Sequence, residues 1–311
     1  MRKFSVLAVA AAALVALTAC SPAGSDDAQS ENCAAAPVGG HASSIISAPG
    51  SVGSAPKVSF PTPLITTTLE RTALTDGLGS PVQTGQPVIL EATVLNGTDG
   101  SELQKTGYTK NGGSLFTVGD KTLPALSRGL ACALVGSRVA IVASAKDNAT
   151  AGQTPGRDSI VYVVDILRAF KSRADGADQA PVAGLPTVVI APDGTPGVTI
   201  PHSAAPGKFV SSVLKLGEGK KLQANDIVVA KVTSINWSTR AVVDSTWKTS
   251  GSTIYDLGAS SVTEGVKRAL VGHEIGSQIL AIVPPALAVA DGAAPADATL
   301  IYVIDILGTV K

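Results

Sequence analysis

Short apolar runs with partial alternation of hydrophobic and polar positions recur along the chain, which is typical of β-strands. Residues 88–95 (VILEATVL) and 228–235 (VVAKVTSI) are rich in β-branched side chains. Residues 160–167 and 300–307 are apolar on both faces, which places these two strands centrally in their sheets. The pattern therefore predicts sheets that each contain a strand buried on both sides.

One helix in each half interrupts the strands. Val262, Val266 and Leu270 recur at helical spacing, so residues 262–270 are predicted to form a helix, and residues 123–134 are its counterpart in the first half. A short helix packed on an antiparallel sheet is an α+β arrangement, and this is the predicted fold class of each half.

The two halves of the chain are copies of one unit. Residues 158–167 (DSIVYVVDIL) are similar to residues 298–307 (ATLIYVIDIL), at an offset of 298 − 158 = 140. The same offset relates residues 56–61 (PKVSFP) to 196–201 (PGVTIP). An offset maintained over most of each half indicates two tandem domains rather than a solenoid of short repeats.

The N-terminus has the pattern of a bacterial secretion signal. Arg2 and Lys3 precede an apolar run that continues to Leu17 and is too short to span a membrane comfortably. The run ends at Leu17-Thr18-Ala19-Cys20, which resembles the lipobox of bacterial lipoproteins, in which the cysteine is acylated and becomes the new N-terminus. We expect a lipid on Cys20 to hold the protein on the extracytoplasmic face of the cell membrane. An ordinary signal peptide with a chance cysteine is the alternative.

Composition indicates the bounds of the tether, the linker and the two domains. The signal peptide covers residues 1–19, and residues 20–55 are rich in Ser, Ala, Gly and Pro without a sustained period, so they are predicted to form a flexible tether. Residues 171–184 have the composition of a linker. The two domains are therefore placed at residues 56–170 and 185–311.

Three cysteines are present. Cys20 is assigned to the lipid, which leaves Cys33 and Cys132 as an even pair in an oxidising compartment, where disulfides form and persist. We predict a disulfide between them. The alternative is that Cys132 is a small buried apolar residue and that Cys33 is free.

Charge and chemistry exclude several classes of function. The formal net charge is zero, so there is no electrostatic basis for binding nucleic acid. His41, His202 and His273 are far apart in the sequence and have no ligand-like spacing, so no metal site is predicted. The sequence contains no phosphate-binding glycine loop, nucleophile elbow or paired His/Cys motif, and no cofactor is expected. A monomer is expected.

The second half also carries a series of landmarks, none of them specific alone. They are Gly217-Glu218-Gly219, Val243-Asp244-Ser245, Tyr255-Asp256-Leu257-Gly258, Ala269-Leu270-Val271-Gly272, Pro284-Pro285 and residues 298–307. Their order and spacing resemble the FK506-binding-protein (FKBP) type of peptidyl-prolyl cis-trans isomerase over roughly residues 206–307. Tandem copies behind a lipobox are similar to lipoprotein members of that family.

The resemblance implies a half-barrel sheet wrapped around the helix, with an apolar pocket between them that receives a proline side chain. Carried over residue by residue, it assigns the pocket to Asp244, Tyr255, Val262, Thr263, Val266, Val289 and Tyr302. The family has tryptophan at the floor position of Val266, isoleucine at Thr263 and a hydrogen-bonding tyrosine at Val289. It has phenylalanine and tyrosine where Val243 and Val232 stand, so this pocket has lost aromatic surface.

Other residues bear on the same pocket. Trp237 and Trp247 lie on nearby loops and are candidates to replace the lost aromatic surface. In the first domain, Gln104 falls at the position of Asp244, while Tyr162 keeps the wall position. The resemblance implies that the first site is more degraded than the second.

Three functions are consistent with this sequence. The first is an extracytoplasmic peptidyl-prolyl isomerase acting on exported polypeptides, because an unaided X-Pro bond takes roughly tens to hundreds of seconds to isomerise and can limit folding. The second is a catalytically inactive FKBP-like module that binds a peptide or protein partner, which the loss of aromatic residues favours. The third is a spacer or adhesion lipoprotein. Without the resemblance, Val262, Val266 and Tyr302 are interpreted as core residues, and Asp244 as a turn residue.

Overall fold

The computed structural model describes residue 33 and residues 36–109, 112–249, 251–289 and 298–310. The first half contains α1 (His41–Ser44), β1 (Glu70–Thr75), β2 (Pro87–Asn96), β3 (Glu102–Lys105), β4 (Ser114–Thr117), α2 (Pro124–Leu130), β5 (Arg138–Ala143), α3 (Ala145–Asn148) and β6 (Ile160–Ala169). The second half contains β7 (Ala177–Asp178), β8 (Thr187–Ile190), β9 (Pro196–Thr199), β10 (Val210–Leu216), β11 (Ile227–Asn236), β12 (Val242–Ser245), β13 (Thr253–Asp256), α4 (Glu264–Leu270), β14 (Gln278–Val283), α5 (Pro285–Ala288) and β15 (Leu300–Thr309).

Each half is built on one antiparallel sheet, and the two sheets have the same strand order except that the second has the additional edge strand β7. The first sheet runs β1-β5-β6-β2-β3, with β4 also paired to β2. The second runs β7-β10-β14-β15-β11-β12, with β13 also paired to β11. The long strands β6 and β15 have neighbours on both sides and are buried over most of their length, as their apolar sequences predict. The predicted α+β class with two tandem domains is confirmed.

The sequence repeat is also a structural repeat. Strands β2 and β11 begin at an offset of 227 − 87 = 140, and helices α2 and α4 at 264 − 124 = 140. Helix α2 ends at Leu130, before the end of the predicted 123–134 helix. The helix ends there because Ala131 has an extended ψ of 129° and the φ of 62° at Cys132 lies in the left-handed region.

A segment that precedes each sheet covers its outer face, on the side away from the helix. In the second half, the β8–β9 hairpin pairs Thr187 with Thr199, and in the first half an isolated bridge joins Ser47 to Ser59 at the same offset. Apolar side chains of these segments pack into two clusters, which contain Ala42, Ile46, Ala48 and Leu64 in the first half and Leu185, Val188, Val198 and Ile200 in the second. Each sheet is therefore buried on both faces.

Residues 36–55 of the predicted flexible tether are packed structure, and the buried Arg138 side chain accounts for much of this. Its guanidinium binds the Asp165 carboxylate through Nε and Nη2 at 2.6 and 2.7 Å. It also donates to the carbonyls of Ala48, Gly50, Ser51 and Ser54 at 2.7–3.1 Å. Because backbone carbonyls make these contacts, the composition of the segment gives no sign of them.

The second domain has different side-chain contacts at the position equivalent to Arg138. Gln278 occupies the position of Arg138, and its Nε2 donates to the Asp305 carboxylate at 2.7 Å. The other oxygen of Asp305 accepts the N–H of Ala174 at 2.8 Å. Ala174 belongs to the predicted linker of residues 171–184, so part of that linker is fixed to the second sheet.

The two domains contact each other directly within the compact unit Ala36–Lys311. Ile89 and Phe170 of the first domain form an apolar cluster with Val229 and Leu307 of the second. Nη1 of Arg168 donates to the carbonyls of Thr309 and Val310 at 2.7 and 2.8 Å.

Three further observations concern the N-terminal predictions. Cys33 and Cys132 are each disulfide-bonded. Cys20 and the signal peptide lie outside the described residues. Within the described ranges, no helix is long and apolar enough to cross a membrane.

Candidate functional site

A cavity of about 450 Å³ opens between the inner face of the second sheet and helix α4. Strands β11, β12, β13 and β15, the residues before α4 and the end of α5 surround it. Its lining consists of Val232, Ser234, Asn236, Val243, Asp244, Ile254, Tyr255, Ser261, Val262, Thr263, Val266, Ala288, Ala298, Leu300 and Tyr302. This volume is within the range of small-molecule and peptide side-chain sites.

Helix α4 is placed by its N-cap and by a close approach to the sheet. The Thr263 side chain accepts a hydrogen bond from the Val266 N–H at 3.3 Å, which satisfies one of the free donors at the helix start. Gly265 permits the close approach, because a Cβ at that position would collide with Val283 of β14. Val266 is thereby held at the floor of the cavity and is 3% exposed.

Polar groups occupy the sheet side of the cavity. In the antiparallel register, Ser234 of β11 lies directly opposite Asp244 of β12 on one side and Tyr302 of β15 on the other. Residues opposite one another in adjacent strands share a face of the sheet and are close neighbours. Asp244 is exposed at the cavity mouth, whereas Ser234 is 5% exposed.

The two tyrosines of the cavity remain protonated at neutral pH. Burial raises the pKa of Tyr255 far above its ordinary value, and the nearby Tyr302 and Asp244 raise it further. The pKa of Tyr302 is also raised, first by burial and then by the Asp244 charge. Each phenol is therefore available as a neutral hydrogen-bond donor or acceptor.

Comparison with known proteins identifies this domain. The family model of the FKBP-type peptidyl-prolyl cis-trans isomerases matches residues 218–307, which include β11 to β14, both helices of the cavity and most of β15. Residues 218–307 form an FKBP-type domain. No curated protein sequence matches the chain.

Solved structures with FKBP domains are also similar to this chain. The three-domain structure of wheat FKBP73 is 19% identical, with 78% of this chain and 94% of that chain covered and a TM-score of 0.32. FkpA from Escherichia coli is 19% identical, with 41% of this chain and 52% of that chain covered and a TM-score of 0.30. Because both TM-scores are low, the fold is assigned from the strand pairing of this chain and not from these superpositions.

Six of the seven positions carried over from the family line the cavity of the FKBP-type domain: Asp244, Tyr255, Val262, Thr263, Val266 and Tyr302. Val289 does not. It follows helix α5 in an extended conformation and is 46% exposed, while its neighbour Ala288 lines the cavity.

The sequence predictions missed several lining residues, including Ser234, Ala288 and Leu300. Strand alternation provides a signal for some of them. Because β11 presents Val232 to the cavity, the residues two and four positions further along should face it too, and they do. Ala288 had no such signal, because its placement depends on how α5 packs.

The tryptophans considered as replacements for the lost aromatic surface lie elsewhere. Trp237 packs on the outer face of the sheet with Ile235 and Leu280. The Trp247 ring lies 4.3 Å from Nζ of Lys231, whose side chain is also outside the cavity. The aromatic lining of the FKBP-type domain therefore consists of Tyr255 and Tyr302.

A hydrogen-bonded side-chain pair occupies the equivalent position of the first domain. The hydroxyl of Tyr162, the counterpart of Tyr302, donates to Oδ1 of Asn148 at 2.7 Å. Tyr162 is 7% exposed, and burial raises its pKa to about 12. Leu126 at the floor is larger than its counterpart Val266. The two domains thus share a scaffold but differ at the site.

Among the described residues, no group of three or more His, Cys, Asp or Glu side chains is arranged to hold a metal ion.

Proposed function

We propose that the second domain is a peptidyl-prolyl cis-trans isomerase that acts on exported polypeptides at the outer face of the membrane. The observation that carries this proposal is the open cavity with a buried valine floor, an apolar helix side and an acidic residue at its mouth. The first domain, whose equivalent position holds the hydrogen-bonded Tyr162–Asn148 pair, serves as a non-catalytic support.

The chemistry of the reaction suits this lining. Rotation about the X-Pro bond meets a barrier of about 18–20 kcal/mol, because the planar amide is stabilised by resonance. The twisted amide has lost that resonance and its dipole, so a dry, apolar cavity favours it relative to the planar form in water. Val262, Val266 and Leu300 would pack against the proline ring. Asp244 at the mouth would bind an N–H group of the flanking peptide.

The test of activity is the isomerisation of an X-Pro peptide by the full chain and by its Asp244→Ala variant. We expect acceleration over buffer, and a kcat/KM about tenfold lower in the variant, because a hydrogen bond to a charged group contributes about 1.5 kcal/mol. Gln104→Ala changes the equivalent residue of the first domain and should leave the rate unchanged. Absence of acceleration by a folded protein at high concentration would refute the catalytic proposal.

A second candidate is a module that binds prolyl segments without isomerising them. The reduction of the aromatic lining to two tyrosines favours it, because fewer aromatic groups surround the twisted amide. Saturable binding of the same peptide without acceleration would establish this alternative.

The location is proposed from the N-terminal sequence and from the cysteines. The lipobox-like Leu17-Thr18-Ala19-Cys20 supports a lipid on Cys20. The disulfide-bonded state of Cys33 and Cys132 supports an oxidising compartment outside the cytoplasm.

The anchor is tested by Cys20→Ser in a bacterium that processes lipoproteins. We expect the unchanged chain to incorporate labelled fatty acid and to partition into the detergent phase, because several acyl chains hold a protein firmly to a membrane. The Cys20→Ser chain should lose both properties. Cys33→Ser is the matched control that also removes one cysteine and should keep the label. Fatty-acid labelling of the Cys20→Ser chain would contradict the assignment.

A further inference from the structure

The cavity of the second domain contains a polar group that the first domain lacks. Ser234 is 5% exposed and lines the cavity, and it makes no side-chain hydrogen bond to any residue that the structure describes. Its counterpart in the first domain is Val94, which packs against the apolar core. Because the Ser234 hydroxyl has no partner among the described residues and is not fully buried, it is available to a ligand in the cavity.

Tyr302 provides a second such group. The hydroxyl of its counterpart Tyr162 is bound by Asn148, but the residue at the Asn148 position is Ala288, which has no polar side chain. Among the described residues, the Tyr302 side chain makes no hydrogen bond, and it is only partly buried. Its hydroxyl is therefore open to the cavity.

These groups are neighbours. Ser234 lies between Asp244 and Tyr302 in the register of three adjacent strands, so three oxygen-bearing side chains form a row across the sheet. The influence of the Asp244 charge on both cavity tyrosines is consistent with this proximity. We call Ser234, Asp244 and Tyr302 the polar row.

The described lining of the cavity carries negative charge and no positive charge. Asp244 is the one charged side chain among the described lining residues, which include no lysine, arginine or histidine. A carboxylate accepts hydrogen bonds only, and the two hydroxyl oxygens can each accept one. An ammonium or guanidinium group donates several N–H bonds and carries the complementary charge.

We propose that the polar row is a specificity site that binds a lysine or arginine side chain next to the proline of the bound segment. The proposal rests on the function proposed above, since it takes the cavity as the proline site. It names the substrate class as X-Pro segments in which a neighbouring residue is basic.

The test compares three peptides that differ only at the residue before proline, which is lysine, leucine or glutamate. Binding and kcat/KM are measured with the full chain at low and high salt. We expect the lysine peptide to exceed the leucine peptide by about tenfold and the glutamate peptide to be the weakest. Because Asp244 is exposed, the advantage of lysine should shrink as ionic strength rises.

Variants of the polar row test the assignment of residues. Ser234→Val introduces the residue of the first domain, Tyr302→Phe removes one hydroxyl, and Ser234→Ala is a smaller change if the valine disturbs folding. In each we expect the lysine-to-leucine ratio to fall severalfold, a change that a general loss of structure would not produce. Gln104→Ala in the first domain should leave the ratio unchanged.

These experiments distinguish a failure of the polar-row proposal from a failure of the proposed function. Equal binding of the lysine and leucine peptides, or a ratio unaffected by all three variants, would overturn the polar row while leaving a prolyl-binding cavity. Failure of every peptide to bind a folded chain would refute the proposed function and with it the polar row.

Discussion

Replacement of Ala288 by asparagine is expected to close the cavity of the FKBP-type domain and to weaken prolyl peptide binding about 30-fold or more. The first domain shows how this happens. Asn148 stands at the equivalent position and accepts the hydroxyl of the wall tyrosine at 2.7 Å. Its amide is also held by the carbonyl of Ser144, and the second domain has an equivalent carbonyl at Pro284. The new asparagine therefore has the same partners available.

The size of the effect follows from the loss of apolar burial. Burying a proline ring stabilises a complex by about 2 kcal/mol, which corresponds to roughly 30-fold in affinity. The folded state should not be weakened, because the asparagine gains a partner for the Tyr302 hydroxyl, worth about 1 kcal/mol.

The measurement is the titration of a fluorescent X-Pro peptide with the unchanged full chain and with Ala288→Asn. The double variant Ala288→Asn/Tyr302→Phe is the matched control. It removes the hydroxyl that holds the amide in place, so part of the affinity should return. If Ala288→Asn binds the peptide as tightly as the unchanged chain, then an asparagine–tyrosine pair at this position does not block the cavity.

Arg138→Leu is expected to destabilise the first domain by about 3–5 kcal/mol, the usual cost of leaving one member of a buried ion pair without its partner. Asp165 would lose its guanidinium partner at a position with no exposed side-chain surface. The carbonyls of residues 48–54 would also lose their shared donor, so the segment that covers the outer face of the first sheet should detach.

The two tryptophans make this effect measurable in the full chain. Trp237 and Trp247 both belong to the second domain, so tryptophan fluorescence follows that domain, while far-ultraviolet circular dichroism follows both. In Arg138→Leu we expect a circular dichroism transition at lower denaturant concentration than the fluorescence transition. Protease cleavage between residues 48 and 54 should also become faster.

Arg138→Gln is the matched control, because the second domain has Gln278 at this position bound to its own aspartate at 2.7 Å. It keeps a donor for Asp165 and should lose less stability than Arg138→Leu. Equal losses in the two variants would show that the carbonyl contacts, rather than the ion pair, dominate.

Much of the architecture could be predicted from the sequence, because local patterns determine it. The offset of 140 predicted two copies of one domain, and the apolar runs of 160–167 and 300–307 predicted the central strands. The helices were predicted in the right places, although helix α2 ends early at the left-handed Cys132. These features depend on the periodicity of side chains along a strand or helix, which is visible in the residues themselves.

The site was only partly accessible in this way. The family resemblance brought six residues to the cavity, because their positions are fixed by strands and by the N-terminus of α4. Val289, also assigned to the pocket by the resemblance, is 46% exposed and does not line the cavity, whereas its neighbour Ala288 does. The tryptophans were considered for the cavity because they are near it in sequence, but strand alternation and loop packing place them elsewhere.

The sequence by itself therefore determined the repeat, the fold class and the order of the elements and, through the family resemblance, six of the residues around the cavity. Tertiary structure alone decided that residues 36–55 pack on the first sheet, where Arg138 binds backbone carbonyls between residues 48 and 54. It also decided that the wall tyrosine is hydrogen-bonded to an asparagine in one copy of the site and has no such partner among the described residues in the other. That difference depends on whether a side chain on a short helix contacts a tyrosine from a strand that is distant in the sequence. Local sequence patterns do not predict such contacts.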